Sequence, residues 1–390
     1  MLSDSVSGLG AEHAAYLEEH GLVALCERGL EELLREREAS HSSPLQYLAE
    51  WLMRHNPKQA SPACNVVPCE SSGHRSDGVR RDDGIRCDEV HGDAVSAGLA
   101  TLQGARSYME DRATVAVLAP GVVYAAVFDG HGGSSAAEYC ASHLHLSIDA
   151  SACGTAGADV EATLKAAFER ANHGFLDATA TPSHGNVSVD DALGGDVSGT
   201  TACVVVSVLE PSTGACVIHV AHVGDSRALL CGVSGSGSAE GSLSVEALTA
   251  DHSPDSAAEA ARIEAAGGEI FDAEDGCGGR VVGSDGVSML QVSRSIGDRL
   301  FKCTSPPLVP CAPDTAHATV GAAERARAPP PFVLLASDGV WESMSEREAA
   351  QLVCMRLAAR ASVHEAAAAL CDEALRRGSE DNLAAAVVTL

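Results

Sequence analysis

With 390 residues, the chain has room for a full hydrophobic core, as one large catalytic domain with an appendage or as two to three smaller domains. A composition of 45% hydrophobic and 21% charged residues excludes the disordered and fibrous classes. The 54 acidic against 26 basic side chains leave a formal net charge of −28, which excludes an extended basic face for nucleic acid or anionic lipid and favours cations as ligands.

The 14 cysteines do not read as a disulfide framework. Cys203, Cys216, Cys231 and Cys354 sit inside apolar runs, where a thiol behaves as a small buried hydrophobe. The N-terminus MLSDSVSGLGAEH lacks the basic and apolar regions of a signal peptide, and no later run reaches the ~18 apolar residues of a membrane span. The expectation is a cytoplasmic protein with neither membrane nor nucleic acid as a partner.

In chain order, residues 10–56 predict two amphipathic helices. Leu22, Leu25, Cys26, Leu30, Leu33 and Leu34 recur at spacings of three and four, and Ser43-Pro44 then caps a second stripe of Leu45, Leu48, Trp51 and Leu52. Two such helices cannot bury their apolar faces alone, so they must pack on the rest of the chain or on another copy. Residues 57–94, rich in Ser, Pro, Gly, Asp and Arg, have the composition of a flexible linker. Residues 95–390 alternate strand-like and helical runs. ATVAVLA, VVYAAVF, TACVVVSVL, VIHVAHV, ALLCGV, PFVLLAS and AAAVVTL predict strands. SSAAEYCASHLHLSI, VEATLKAAFERANHGFLDA, PDSAAEAARIEAAG, EREAAQLVCMRLAAR and VHEAAAALCDEALRRG predict helices. Strands that follow one another without helices between them argue for antiparallel pairing, so the expected fold is α+β, a central sandwich of two antiparallel sheets flanked by helices.

Acidic residues stand where predicted strands end. Val122 to Phe128 runs into Asp129-Gly130-His131, Phe332 to Ser337 into Asp338, and Val217 to Val223 into Gly224-Asp225. Glu110-Asp111 precedes a strand, and so does Asp381. Carboxylates delivered at strand ends converge on one edge of a sheet, and a cluster of oxygen donors suits Mg²⁺ or Mn²⁺ rather than Zn²⁺. A single Asp-Gly more often makes a turn than it binds metal, so the signal lies in the joint pattern.

RSYMED, VFDGHGG, SGTTA, VGDSRALL, DHSPD, LQVSRSIGD, ASDGVWE and SEDNL occur in that order. They resemble the consecutive motifs of the metal-dependent type 2C serine/threonine protein phosphatases, over roughly Val95 to Leu390. The resemblance implies hydrolysis of phosphoserine and phosphothreonine in proteins by a water activated between two metals, Mg²⁺ or Mn²⁺. It implies that Asp129 bridges the metals with help from the Gly130 carbonyl, that Asp338 and Asp381 complete one shell, and that Glu110 and Asp111 serve the other. It makes Arg106 the phosphate grip and His131 the acid that protonates the leaving oxygen. Asp225 would contribute to a weaker third site with Glu342, where the family often has Asp. Thr200 and Thr201 read as strand-packing residues, and Arg294, Gly297 and Asp298 as structural or supporting ones.

Three other readings compete. Cys69 to Arg75 and Cys371 to Arg377 have the spacing of thiol phosphatases, which chance supplies about once in a chain with this many cysteines. Cys64, Cys69, His74, Cys87 and His91 form a loose zinc-like series. A scaffold that kept the fold with weak or no catalysis is the third. Residues 10–56 are themselves similar to the Dumpy-thirty motif and to the dimerisation/docking domain of cyclic-AMP-dependent kinase regulatory subunits. That similarity implies a homodimer, a groove for the amphipathic helix of an anchoring protein, and a ciliary or cytoskeletal address.

Overall fold

The computed structural model describes residues 79–80, 85–92, 95–153, 159–180, 195–234, 242–272 and 278–390. All of them belong to one unit, Ser71–Leu390. The expected helical hairpin and docking motif of residues 10–56 lie outside the described residues.

The chain runs through β1 (Val79–Arg80), β2 (Arg86–His91), β3 (Ser96–Leu102), β4 (Arg112–Ala119), β5 (Val122–Phe128), β6 (Gly130–His131), α1 (Ser135–His143), α2 (Ala150–Cys153) and α3 (Val160–Ala178). It continues with β7 (Gly199–Thr200), β8 (Ala202–Leu209), β9 (Cys216–Val223), β10 (Arg227–Ser234), β11 (Ser242–Ala247), α4 (Ala257–Ala265), β12 (Ile270–Asp272), β13 (Gly279–Val282), β14 (Met289–Leu290) and β15 (Ile296–Gly297). The C-terminal part holds β16 (Asp314–Val320), α5 (Ala322–Arg325), β17 (Phe332–Ala336), α6 (Asp338–Trp341), α7 (Glu346–Ala358), α8 (Val363–Arg376) and β18 (Leu383–Thr389).

Two antiparallel sheets dominate, one ordered β1-β2-β3-β18-β17-β10-β11 and the other β16-β9-β8-β5-β4. Their facing sides share one apolar core in which Leu99, Val333, Leu335 and Val388 of the first meet Val123, Val127, Val205 and Ile218 of the second. The outer face of the seven-stranded sheet is covered by α7 and α8, and that of the five-stranded sheet by α1 and α3. Strands buried on both faces read as unbroken apolar runs rather than as alternation, and every residue of β5 and of β17 is buried. Small side chains let the layers approach, as in α8, where Ala366, Ala367 and Ala368 all lie inside. Serine-glutamate capping boxes at Ser345 and Ser362 start α7 and α8, each contributing about 1 kcal/mol of helix stability.

One expectation needs correcting. The stretch assigned to the linker, residues 57–94, already contains β1 and β2, which pair with each other and, through β2, with β3. The sequence RCDEVH looks too polar for a strand, but its buried acids are satisfied: Asp88 accepts from the Glu89 amide, and Glu89 meets His91 and, on α8, His364. Of the zinc-like series, Cys87 packs in the core beneath α8 and His91 is held by Glu89 and Ser96. Cys64, Cys69 and His74 lie outside the described residues. Cys371 is buried in α8 with its thiol pushed far above the usual range by burial, unsuited to act as a thiolate nucleophile. Among the described residues no helix is long and apolar enough to cross a membrane.

A stacked imidazole pair fastens the turn after β11 to the five-stranded sheet. His222 and His252 lie 4.6 Å apart with their rings 7° from parallel, beside Asp314 and Arg294. Burial, with His222 and Arg294 adding to it, lowers His252 from 6.5 to about 4. A base whose folded pKa lies below its unfolded value binds fewer protons in the fold, so this contribution to stability is present above about 6.5 and lost as pH falls toward about 4. His252→Phe should therefore reduce the drop in unfolding free energy between pH 7 and pH 4.5 by on the order of 2 kcal/mol. Urea titrations at the two pH values check this, and an unchanged drop would exclude His252 as the cause.

Candidate metal centre and active site

The antiparallel registers explain why acidic residues far apart in sequence meet. Ala336 pairs with Ala385, which sets Asp338, just beyond the end of β17, beside Asp381, just before β18. Arg112 pairs with Phe128, which sets Asp129 beside Glu110-Asp111. Ala202 pairs with Val223, which brings Asp225 to the same edge. The strand ends open on a cleft of about 510 Å³ lined by Arg106, Glu110, Asp129, Gly130, His131, Asp225, Asp338, Glu342 and Asp381. Asp111 is buried behind this lining, where Ser337 Oγ donates to its Oδ2 over 2.7 Å. All of the residues that the sequence nominates are thus gathered at one place.

Electrostatics mark the cluster as unusual. Burial pushes Asp111 up to about 8, against the Ser337 hydrogen bond, and the Asp338 and Asp381 carboxylates add to the rise. Asp129 stands well above the ordinary carboxyl range, chiefly from burial and then from Asp111 and Asp338. Burial likewise raises Asp338 and Glu110 and takes Asp225 to about 7. Arg106 donates from Nη2 to Asp381 Oδ2 at 2.7 Å, while Arg227, which also lines the cleft, is engaged by Asp251, so the carboxylates outnumber the cations near them. Groups held this far from their preferred charge state fit divalent cations, and an all-oxygen donor set fits hard ones.

The backbone makes the same point. A Cβ on Gly130 would lie 2.6 Å from the Glu110 carbonyl oxygen, so only glycine lets these two segments close up. Among the described residues no three acidic, histidine or cysteine side chains already form a finished coordination shell. The fit therefore rests on donor chemistry and charge.

Thr200 and Thr201, which the sequence suggests as strand packing, hold this arrangement, and so does Asn382, which the sequence does not single out. Thr201 Oγ1 accepts from the Asp129 amide at 3.1 Å, and Thr200 Oγ1 donates to the Asp129 carbonyl at 3.0 Å, fixing the acid from both sides. Asn382 Oδ1 accepts from the Glu110 amide at 2.7 Å while its amide nitrogen donates to the carbonyls of Gln103 and Tyr108. Arg294 is structural, bound to Glu259 and Asp314. His131 Nε2 lies 2.9 Å from both oxygens of Asp298. Burial alone would lower this imidazole, but the Asp298 carboxylate outweighs it and leaves His131 above the usual histidine value.

The protein phosphatase 2C family model matches residues 96–383, most of the chain. The chain belongs to the protein phosphatase 2C family. Protein phosphatase 1A of Homo sapiens is 31% identical over 308 residues, covering 76% of this chain and 71% of the relative. "Probable protein phosphatase 2C 68" of Oryza sativa subsp. japonica is 34% identical over 312 residues, covering 75% of this chain and 77% of that protein. In fold, the chain is similar to a serine-threonine phosphatase 2C from Toxoplasma gondii, with a TM-score of 0.61, 23% identity, and 77% and 96% of the two chains covered. Family membership makes this phosphatase 2C homologue a protein serine/threonine phosphatase, a hydrolase acting on phosphoproteins.

Proposed function

We propose that this chain removes phosphate from phosphoserine and phosphothreonine in proteins with two divalent cations, Mg²⁺ or Mn²⁺. The observation that carries this reading is the convergence of buried, mutually repelling carboxyls on Asp111, Asp129 and Asp338 at the foot of a cleft bearing Arg106 and His131. Asp129 and the Gly130 carbonyl would be shared between the cations, Asp338 and Asp381 would complete one shell, and Glu110 and Asp111 would serve the other. When bound, such a pair acidifies a water and neutralises charge growing on the phosphoryl oxygens. Asp225 and Glu342 would hold a weaker third ion, with the Glu342 carboxylate one methylene further out than an aspartate.

The chain's own side chains then have separable tasks. Arg106 is exposed at the cleft and spends one nitrogen on Asp381, which leaves further guanidinium donors for the substrate phosphate. His131 commits Nε2 to Asp298, so Nδ1 is the nitrogen that holds a proton for the departing serine or threonine oxygen. Met289, Leu290, Val292 and Trp341 give the cleft an apolar wall for the side chains flanking the phosphorylated residue.

Purified protein should hydrolyse phosphoserine and phosphothreonine peptides with Mn²⁺ or Mg²⁺, lose that activity in chelator, and regain it when metal is restored. Turnover that survives thorough chelation would sink the proposal.

Residues 10–56 would join two copies into a homodimer whose paired helices offer a groove to the amphipathic helix of an anchoring protein, placing the enzyme in the cytoplasm at ciliary or cytoskeletal assemblies. What supports this is the pair of apolar stripes through Leu22, Leu30, Leu48 and Trp51, which a lone hairpin cannot cover. Light scattering should find a dimer that Leu30→Asp dissociates, with peptide hydrolysis nearly unchanged; a wild-type monomer at tens of micromolar would rule it out.

A further inference from the structure

We infer that Asp298 is a positioning residue for His131, and that the small sheet ordered β15-β7-β6 is built to deliver its carboxylate beneath the imidazole. The inference rests on the acid role proposed above for His131.

Every element of that sheet serves the contact. β6 carries His131 opposite Gly199 of β7, and β7 pairs Gly199 with Gly297 of β15, the residue before Asp298. Asp298 itself is 3% exposed and adopts a left-handed backbone, φ 51° and ψ 54°, which an L residue with a side chain rarely takes. Strain of this kind persists only where surrounding contacts over-determine it. Here the Asp298 amide donates to the Ser198 carbonyl at 3.0 Å, and the Gly297 amide before it donates to Asn172 Oδ1 at 3.1 Å. Lys302 Nζ donates to the carbonyls of Ser295 and Val309 and so ties down both flanks.

The carboxylate passes where only glycine leaves room: a Cβ on Gly199 would stand 2.1 Å from Asp298 Oδ2. Ser295 Oγ donates to that same Oδ2. Both carboxylate oxygens lie at the same 2.9 Å from His131 Nε2, so the ring's nitrogen is centred on the carboxylate. A centred acceptor fixes the orientation of the ring and assigns Nε2 to Asp298, which leaves Nδ1 facing the substrate's leaving oxygen. A purely structural tie between β6 and β15 would need none of this alignment, because β7 already pairs with both strands.

The test is Asp298→Asn in the full chain, since Asn has the same shape and tolerates the left-handed backbone. On a phosphoserine peptide, whose leaving group needs a proton, kcat should fall about 10- to 100-fold with KM nearly unchanged. On 4-nitrophenyl phosphate, whose leaving group does not, kcat should change less than about threefold. In a His131→Ala background the added Asp298→Asn should cost nothing further on either ester. Ser295→Ala should show the same pattern at about three- to tenfold, and it carries the test if the Asn variant does not fold. Equal losses on both esters, losses that multiply in the double variant, or wild-type kinetics would overturn the inference. If His131→Ala alone lowers both esters equally, the acid role falls and this inference with it. If His131→Ala discriminates between the esters and the Asp298 and Ser295 variants do not, only this inference falls.

Discussion

Asp129→Asn should lower kcat on a phosphothreonine peptide by about 10³-fold or more and, in the same protein, abolish the rise in melting temperature that Mn²⁺ gives the wild type. The carboxyl sits at the centre of the acidic cluster, within hydrogen-bonding reach of both Asp111 and Asp338. An amide of the same shape keeps one oxygen but loses the charge that two cations would share. Several kcal/mol of transition-state stabilisation would depend on those cations, and about 1.4 kcal/mol is a factor of ten in rate. The metal-free protein should respond in the opposite sense. Burial and its acidic neighbours raise the folded-state pKa of Asp129, so the cost of its charge is absent at low pH and grows as pH rises above the ordinary carboxyl range. Removing that charge should make metal-free Asp129→Asn melt higher than metal-free wild type at pH 8. Adding Mn²⁺ at 100 times its dissociation constant stabilises the wild type by about 2.7 kcal/mol, a shift of roughly 3 °C at this chain length, and should leave the variant where it was. Thermal scans with and without metal, beside the peptide assay, decide the matter. A variant that keeps its metal-induced shift, or turns over within tenfold of wild type, would show that Asp129 is not the shared ligand.

The cluster was legible in the sequence because strands buried on both faces announce themselves as unbroken apolar runs. VVYAAVF and PFVLLAS each end abruptly in an acid, and an acid just beyond a buried strand lies at the sheet's edge, where it can point only into a site or into solvent. β2 and β16 carried no such signal. RCDEVH hides two buried acids, and Glu89 finds one of its partners, His364, at a separation of 275 residues. DTAHATV alternates exposed and half-buried positions along the rim of the five-stranded sheet and reads as loop until its pairing with β9 is seen. Asp298 was read as a supporting residue for a similar reason. Nothing near it in sequence predicts that His131, 167 residues earlier, will be its partner, although its place two residues after Ile296, behind a glycine, marks a tight turn. Thr200 and Thr201 look like ordinary strand residues because hydroxyls that bond backbone groups leave no pattern in spacing.

His131→Ala should lower kcat on phosphoserine peptides by about 10²- to 10³-fold while changing it only slightly on 4-nitrophenyl phosphate. The two esters have the phosphoryl group in common and would share the cations and the Arg106 contact, so whatever a variant does to metal binding or phosphate capture should fall on both equally. They differ in the oxygen that departs. A serine alkoxide is so basic that it must be protonated as the bond breaks, whereas a nitrophenolate leaves unassisted. His131 lines the cleft beside Asp129 with Nε2 held by Asp298, so Nδ1 would be the proton donor that alanine removes. KM for the peptide should stay within about twofold, because a proton donated only in the transition state contributes little to ground-state binding. Steady-state kinetics on the two esters at one metal concentration separate the cases. If both esters slow by the same factor, His131 acts on the metal centre or the fold instead, and the leaving oxygen takes its proton from elsewhere.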